Sequence, residues 1–433
     1  MLRSRLLTVL VLVPSFFLLI TSQAFADVVP GDVIDKTNWE KVQGMVPEKL
    51  LEMVKRGEFI LDVEETEYKS RECFPKFALD AMGTNIGKYD LNEDDWIIET
   101  ASGKLAKGII GLPFPEIDPA DPEAATKLMY SREYVAYILG SLRNTFQTPF
   151  LTRSGYQRTQ KGKMYQMVMD GNPESAARSN PDEMIKYQIA RVASPYDIAG
   201  TAIMTWRHMD PQKEDNTFGY IPAIRRVRRM SPGNRSDALF GSDFSVDDTS
   251  CFDGKVTAMD WRLVGKREAL LPFAECGKGR IVRNDEGEWE TTEGVKEFIY
   301  GYQKEGWQGA PWAPTNWVWV KHPAYVIEMK AKDPYYNYGP QELWVDSEAF
   351  VAAYKVINDK GGRYWKMVFQ AHTCFESEDK EMQLTASMDQ LAIDERADHA
   401  TIIRAMTPAD IWTFHAEMEA DDFSLSGFQK FCK

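Results

Sequence analysis

The spacing of apolar residues divides the chain into a helical part and an extended part. In VPEKLLEMVKRGE the apolar side chains share one helical face after a proline that suits a first turn, which predicts a helix over residues 48–56. Similar patterns, each also beginning at a proline, predict helices over residues 122–141 and 408–417. The first third of the chain is therefore expected to be mostly helical or irregular.

From residue 163 onward apolar and polar positions alternate, which is typical of strands in a half-buried sheet. Tyr325, Ile327 and Met329 share one face in this way. The segment ELWVDSEAFVAAYKVINDKGGRYWKMVFQ predicts three strands joined by turns at residues 346–347 and 359–362. Because no helix of crossover length separates these strands, the sheet is predicted to be antiparallel.

These patterns predict three regions along the chain. Residues 1–26 read as a signal peptide, and residues 27–162 as a helical or irregular segment that packs on the sheet. Residues 163–433 are predicted to form the curved antiparallel sheet and a C-terminal helical tail. The whole is an α+β protein with helices packed against a long sheet.

The first 26 residues, MLRSRLLTVLVLVPSFFLLITSQAFA, begin with basic residues, continue with an apolar stretch and end in small residues around Phe25. This arrangement is typical of a secretory signal peptide, here cleaved after Ala26. We therefore expect an exported protein, most simply in a bacterial periplasm. The formal net charge is -14, and the predicted leader holds two of the arginines, so the remaining chain is more acidic still. A nucleic-acid partner is not expected at that charge and in that compartment.

The five cysteines have no CxxC spacing and no zinc-binding pattern, so isolated disulfides are expected in an oxidising compartment. VTAMDWRLV and KREALLPFA predict two strands of a hairpin centred on Gly265. In that register Cys251 faces Cys276, which makes this pair the disulfide candidate. The alternative is that the turn at Asp253-Gly254 breaks the register before the two cysteines meet.

No motif for catalysis, cofactor binding or metal binding is present. The five histidines belong to no HExxH sequence and lie near no GxSxG elbow, and the chain has no P-loop and no GxGxxG. We therefore predict no catalytic residue, no cofactor and no metal. Asp243, Asp247 and Asp248 could coordinate calcium, but they lack the spacing of a calcium loop and lie close to several arginines.

Those arginines lie in the segment YIPAIRRVRRMSPGNRSDALFGSDFSVDD. In a strand the first four would point in pairs to opposite faces, so one pair would face the packed side, where an unpaired charge is costly. One interpretation is an internal belt, in which Arg226 and Arg228 pair with nearby aspartates. The other is an anionic head-group site at a cavity mouth. The remaining structural ion-pair candidates are Arg225, Arg229, Arg235, Asp237, Asp243, Asp247 and Asp248.

The same segment resembles a signature of bacterial periplasmic proteins related to outer-membrane lipoprotein-sorting proteins. The segments PGDVIDKTNWEKVQGMVPE, GLPFPEIDPADPEAATK, AMDWRLVGKRE and KDPYYNYGPQELWVDSEAF are similar, in the same order, to domain-of-unknown-function family 1329. The resemblance implies a LolA/LolB-like fold, in which a strongly curved antiparallel sheet forms an incomplete barrel with helices packed on its concave side. It also implies a hydrophobic cavity, and it brings no established catalytic residues.

The function implied by this resemblance is that of a periplasmic carrier or chaperone, not an enzyme. Its ligand would be a lipid, a lipoprotein or another hydrophobic cargo in envelope transport, with an exporter and an outer-membrane β-barrel as candidate partners. Aromatic residues in predicted strands could line such a cavity. The cavity candidates are Trp206, Tyr220, Arg226, Arg228, Phe244, Trp261, Trp317, Trp319 and Tyr325.

Two other functions stay open from the sequence. One is an envelope enzyme that acts on lipid or glycan through carboxylates such as Asp243 and Asp247. The other is a structural partner of an exporter, in which the aromatic residues form an ordinary core.

Overall fold

The computed structural model describes residues 27–231, 235–292, 296–404 and 411–432. The predicted signal peptide, residues 1–26, lies outside the described residues, and so does the start of the helix predicted over residues 408–417.

Within these ranges the chain forms five α-helices and twenty strands. The helices are α1 (Glu48–Lys55), α2 (Lys76–Asn85), α3 (Ala124–Ile138), α4 (Pro173–Ala176) and α5 (Leu425–Cys432). The strands are β1 (Val33–Ile34), β2 (Leu61–Glu64), β3 (Tyr89–Leu91), β4 (Ile97–Glu99), β5 (Leu142–Thr152), β6 (Gly155–Val168), β7 (Met184–Ser194), β8 (Ala202–His208), β9 (Asn216–Ile221), β10 (Arg226–Met230), β11 (Met259–Phe273), β12 (Gly279–Arg283), β13 (Trp289–Thr291), β14 (Val318–Ala331), β15 (Gln341–Asp346), β16 (Ala352–Asn358), β17 (Tyr364–Ser377), β18 (Gln383–Asp394), β19 (His399–Arg404) and β20 (Thr413–Phe414). None of the described helices is both long enough and apolar enough to cross a membrane.

Eighteen of the strands belong to one sheet, and β3 and β4 form a separate pair. The main run of neighbours is antiparallel throughout, in the order β10-β9-β8-β7-β6-β5-β19-β18-β17-β16-β15-β14-β11. The expected class, an α+β protein built on a curved antiparallel sheet, is confirmed.

The sheet closes on itself at one end. Strand β12 pairs with β17, β13 pairs with β12, and β20 joins β13 to β5. Together with β19 and β18 these strands form a ring of seven, in which each strand has a partner on both sides. The barrel is thus closed here rather than incomplete, because three short strands cover edges that would otherwise expose unpaired backbone groups.

Helices cover both faces of the sheet. Val368 on β17 packs in one cluster with Leu128 of α3, whereas its neighbours Met367 and Phe369 pack in another cluster with Leu51 of α1. Neighbouring side chains of a strand point to opposite faces, so α3 and α1 lie on opposite sides of the sheet. We call the side that packs against α3 the inner face and the other side the outer face.

The predicted helices and the predicted meander are largely confirmed. Helices α1 and α3 lie within the ranges predicted for them, and β15, β16 and β17 are the three predicted strands. The helix predicted over residues 408–417 is wrong in its described part, because Thr413–Phe414 is strand β20. Phe414 pairs there with Leu142 and Trp289 and completes the ring of strands.

The predicted boundary between residues 162 and 163 falls inside strand β6. Strand β5 precedes this boundary and strand β6 crosses it, yet apolar and polar residues do not clearly alternate in either sequence. The reason is that the inner face of these strands carries polar residues such as Asn144 and Gln166, so both faces contain polar side chains.

The predicted hairpin around Gly265 is wrong, and so is the disulfide that it suggested. Residues Met259–Phe273 form one strand of 15 residues, in which Leu263 and Gly265 pair with successive residues of β14 and the residue between them bulges out. Cys251 and Cys276 therefore lie beyond opposite ends of a continuous strand, and both are free thiols. The disulfide instead joins Cys73 to Cys374.

Candidate functional site

A cavity of about 210 Å³ lies between the inner face of the sheet and helix α3. Strands β5 to β8 form one wall, strands β17 to β19 form the opposite wall, and α3 lies above them. The segment of residues 235–258, which we call the cover segment, covers part of the cavity with side chains between Leu239 and Asp253. Every wall comes from the same curved sheet or from an element packed on it.

Much of the cavity surface is apolar. Helix α3 is buried on nearly all sides, and Val135 and Ala136 near its end, with Leu139 just after it, place apolar side chains on the cavity. The apolar residues that the argument below uses are Val135, Ala136, Leu139, Phe146, Ala190 and Ile203. Phe146 lies directly against Gly162 on the neighbouring strand, where any side chain at Gly162 would collide with the ring.

The strands add amides and hydroxyls to this surface. Gln166, Gln188 and Thr205 line the cavity beside the apolar residues. Asn144 Oδ1 and Gln370 Oε1, also in the lining, are buried and accept no hydrogen bond in the described part of the chain. Buried polar atoms usually have a partner, so these two acceptors are exceptions to that rule.

Charged side chains are concentrated at one end of the cavity. Lys186 on β7 lines it, and its Nζ lies 2.5 Å from Oδ1 of Asp253 in the cover segment. Arg132 on α3 lines the cavity as well, and its Nη2 donates a hydrogen bond to the carbonyl oxygen of Ser250.

A network of buried ion pairs lies behind this end. Arg207 is 2.7 Å from Glu133 and 2.8 Å from Asp215, and Arg235 is 2.7 Å from Asp247. Burial alone would raise the pKa of Asp215, but the charges of Arg207 and Arg235 outweigh it and lower the pKa to about 2. Asp215 is therefore ionised near neutral pH, and the pairs join α3 and the sheet to the cover segment.

A second group of pairs attaches the middle of the cover segment to the sheet. Asp248 Oδ1 is 2.7 Å from Nζ of Lys355, and Asp248 Oδ2 accepts a hydrogen bond of 2.7 Å from the hydroxyl of Tyr338. Asp247 Oδ2 accepts one of 3.0 Å from Tyr336. Burial acts to raise the pKa of Asp248, but the charge of Lys355 reverses the shift and holds it well below its usual value. The cover segment is thus attached by several buried ion pairs.

An internal belt of ion pairs therefore exists, but most of its basic members differ from those predicted. Arg235, Asp247 and Asp248 belong to it. Arg226 and Arg228 do not, because both are exposed on strand β10, which pairs only with β9 in the described sheet. The predicted pairing of these two arginines with the aspartates is wrong.

The other candidates of this group lie outside this network of buried ion pairs. Arg225 and Arg229 are exposed on the same hairpin, and Arg229 donates a hydrogen bond to Asn216. Asp237 accepts one of 2.7 Å from Asn337. Asp243 lies 2.6 Å from Nδ1 of His399 on β19.

The aromatic cavity candidates are all placed away from the cavity lining. Trp317 and Trp319 lie in the outer-face core with α1, while Phe244, Trp261 and Tyr325 pack with α3 and the cover segment. Trp206 and Tyr220 pack with α5. Arg226 and Arg228 also lie outside the lining. A role of any of these residues in ligand binding stays a prediction.

Sequence reasoning missed the residues that do line the cavity. Lys186, Gln188 and Ala190 share one face of β7, and Asn144, Phe146 and Thr148 share one face of β5. The sequence feature that could have identified them is a set of alternate positions in which amides are mixed with apolar residues. In a strand of a packed core such positions are mainly apolar. The described residues contain no cluster of three or more His, Cys, Asp or Glu side chains arranged to hold a metal ion.

Comparison with known proteins gives a family match over most of the chain. A family model described as "Protein of unknown function (DUF1329)" matches residues 33–429. An uncharacterized protein of Pseudomonas aeruginosa is 28% identical over 113 residues, which are 24% of this chain and 23% of that protein. The chain thus covers less than a quarter of this curated relative.

Solved structures give weaker similarities. A DUF1329 family protein from Desulfovibrio piger is 16% identical with a TM-score of 0.47, and the match covers 71% of this chain and 100% of that one. A LolA superfamily protein from Nitrosomonas europaea is 10% identical with a TM-score of 0.42, and the match covers 71% of this chain and 99% of that one.

Proposed function

The chain belongs to the DUF1329 family, and from this premise we propose that it is a carrier that binds a hydrophobic or amphipathic molecule between α3 and the inner face of the sheet. The predicted signal peptide supports a periplasmic site of action. An envelope exporter and an outer-membrane protein are the partners that this proposal implies.

The observation that carries the proposal is a mainly apolar cavity of about 210 Å³ between α3 and the inner face of the sheet. Interiors normally leave few voids larger than a water molecule. A mainly apolar concave cavity with a few polar groups is the usual form of a site for a small ligand.

The volume also limits the size of that occupant. At roughly 10–15 Å³ of such volume for each water-sized unit, the cavity holds about 14 to 21 non-hydrogen atoms. This is enough for a short alkyl chain or for the end of one longer chain. We therefore propose that a single chain enters, rather than a lipid with several acyl chains.

Replacing Ala190 by phenylalanine should abolish this binding. Ala190 lies on β7 between Met164 and Ile203, and all three line the cavity, so a phenyl ring at this position would occupy the space of the ligand. We expect the affinity for n-octanol, measured by calorimetry, to fall at least tenfold, which corresponds to about 1.4 kcal/mol.

Ala223→Phe, at an exposed alanine outside the lining, is the matched control and should bind like the wild type. The thermal melt of Ala190→Phe should show that the protein still folds. Unchanged octanol binding by folded Ala190→Phe would contradict the proposal.

A further inference from the structure

Arg132 differs from the other buried cations near the cavity. It lies on α3, lines the cavity and is only 9% exposed. Its Nη2 donates a hydrogen bond to the carbonyl oxygen of Ser250. No carboxylate in the described part of the chain forms an ion pair with Arg132 at 4.0 Å or less.

The neighbouring cations all have such partners. Lys186 pairs with Asp253, and Arg207 pairs with two carboxylates at less than 3 Å. A buried charge without a counter-ion is costly, and proteins normally pair it or exclude it. Burial accordingly lowers the pKa of Arg132, although the more distant charge of Asp253 acts in the opposite direction.

The one carboxylate at this end of the cavity is shared among several cations. Asp253 lies 2.5 Å from Lys186, 3.7 Å from Arg207 and 4.0 Å from Arg235. Burial and the charge of Arg207 lower the pKa of Lys186 in spite of this contact. Asp253 is therefore engaged by other cations, and Arg132 is the charged side chain of the described lining that has no ion-pair partner.

We propose that the cavity selects a single-chain amphiphile with an anionic head, a carboxylate or a phosphate, whose oxygens accept hydrogen bonds from Arg132. The chain would extend along Val135, Leu139 and Phe146, which line the same cavity. This inference rests on the proposed carrier function and adds the class of the ligand. A guanidinium is well suited to such a head, because its donors match the oxygens of a carboxylate or phosphate.

The test compares four ligands with the same eight-carbon chain: octanoate, octyl phosphate, n-octanol and octylammonium. Calorimetry on the wild-type protein should give tighter binding of an anionic ligand than of octanol, by about ten- to a hundredfold, as expected for hydrogen bonds to a charged group. Octylammonium should bind more weakly than octanol. The affinities of octanoate and octyl phosphate show whether a carboxylate or a phosphate head is preferred. The affinities of acetate and inorganic phosphate, which have no alkyl chain, show whether the chain is needed for binding.

Arg132→Met removes the charge and keeps an apolar side chain of similar length. We expect this variant to bind octanoate no better than octanol, and Arg132→Lys to keep part of the preference. Arg228→Met, which removes an exposed arginine, should keep the full preference. Because Arg132→Met also removes a poorly compensated buried charge, its thermal midpoint should stay the same or rise.

Two results would overturn the inference. The first is equal binding of octanoate, octyl phosphate and octanol by the wild type, which needs no variant and leaves the carrier function intact. The second is an anion preference that Arg132→Met does not change. If none of the four ligands binds, the carrier function fails as well.

Discussion

Replacing Arg235 by alanine should lower the free energy of unfolding by about 3–5 kcal/mol, as is usual when one partner of a buried ion pair is removed. Arg235 is 8% exposed and 2.7 Å from Asp247. It also lies 3.5 Å from Asp215 and donates a hydrogen bond to the carbonyl oxygen of Asp253. Its loss leaves Asp247 without its nearest cation and removes the contacts that hold the start of the cover segment.

The measurement is equilibrium unfolding in guanidinium chloride, with Arg228→Ala as the matched control. Arg228 is exposed and forms no ion pair with a described residue, so this control should change the stability by about 0.5 kcal/mol or less. Equal effects of the two substitutions would contradict the assignment of Arg235 to the buried network.

Removing the disulfide between Cys73 and Cys374 should lower the stability by about 2–5 kcal/mol. Both cysteines are buried, and the bond joins positions separated by 301 residues, so it restricts a large part of the unfolded chain. The double variant Cys73→Ala/Cys374→Ala should therefore unfold at a lower denaturant concentration than the wild type.

Cys276→Ala, which removes a half-buried free thiol, is the control and should leave the denaturant midpoint nearly unchanged. A reductant should destabilise the wild type and have no further effect on the double variant. Titration of the unfolded, unreduced protein should find the three free thiols Cys251, Cys276 and Cys432. A wild type that is insensitive to reductant would contradict the disulfide assignment.

The parts of the fold that the sequence predicts well are those where burial alone decides the pattern. Helix α1 carries Leu50, Leu51 and Val54 on one buried face, and its limits agree with the prediction within one residue. The meander of β15 to β17 has turns at polar residues between apolar strands. In these elements the local sequence and the packed core specify the same structure.

The errors occur where a residue has a role that local sequence does not contain. Gly265 in a strand indicates a turn or a bulge equally well, and pairing with β14 decides for the bulge. The Cys73–Cys374 bond depends on how distant segments meet. Arg226 and Arg228 alternate as a strand would place them, but their exposure follows from the position of β10 at the end of the main antiparallel run, which periodicity cannot show.

The candidate site was missed for a related reason. Strands β5 and β6 combine amides with apolar residues on their inner face, so the alternation that reveals a packed strand is weak there. Arg132 is in a helix whose apolar residues predict a core position, and nothing nearby in the sequence shows that it lines a cavity. Residues that line a functional cavity do not follow the apolar pattern of a packed core, so a search of the sequence for that pattern does not find them.

Mass spectrometry of the material released on denaturing gently purified protein tests the central claim most directly. The account expects the wild type to release a single-chain amphiphile in a near-stoichiometric amount, and folded Ala190→Phe to release little or none of it. Release of no amphiphile by the wild type, or of equal amounts by both proteins, would contradict the claim that this cavity carries a ligand.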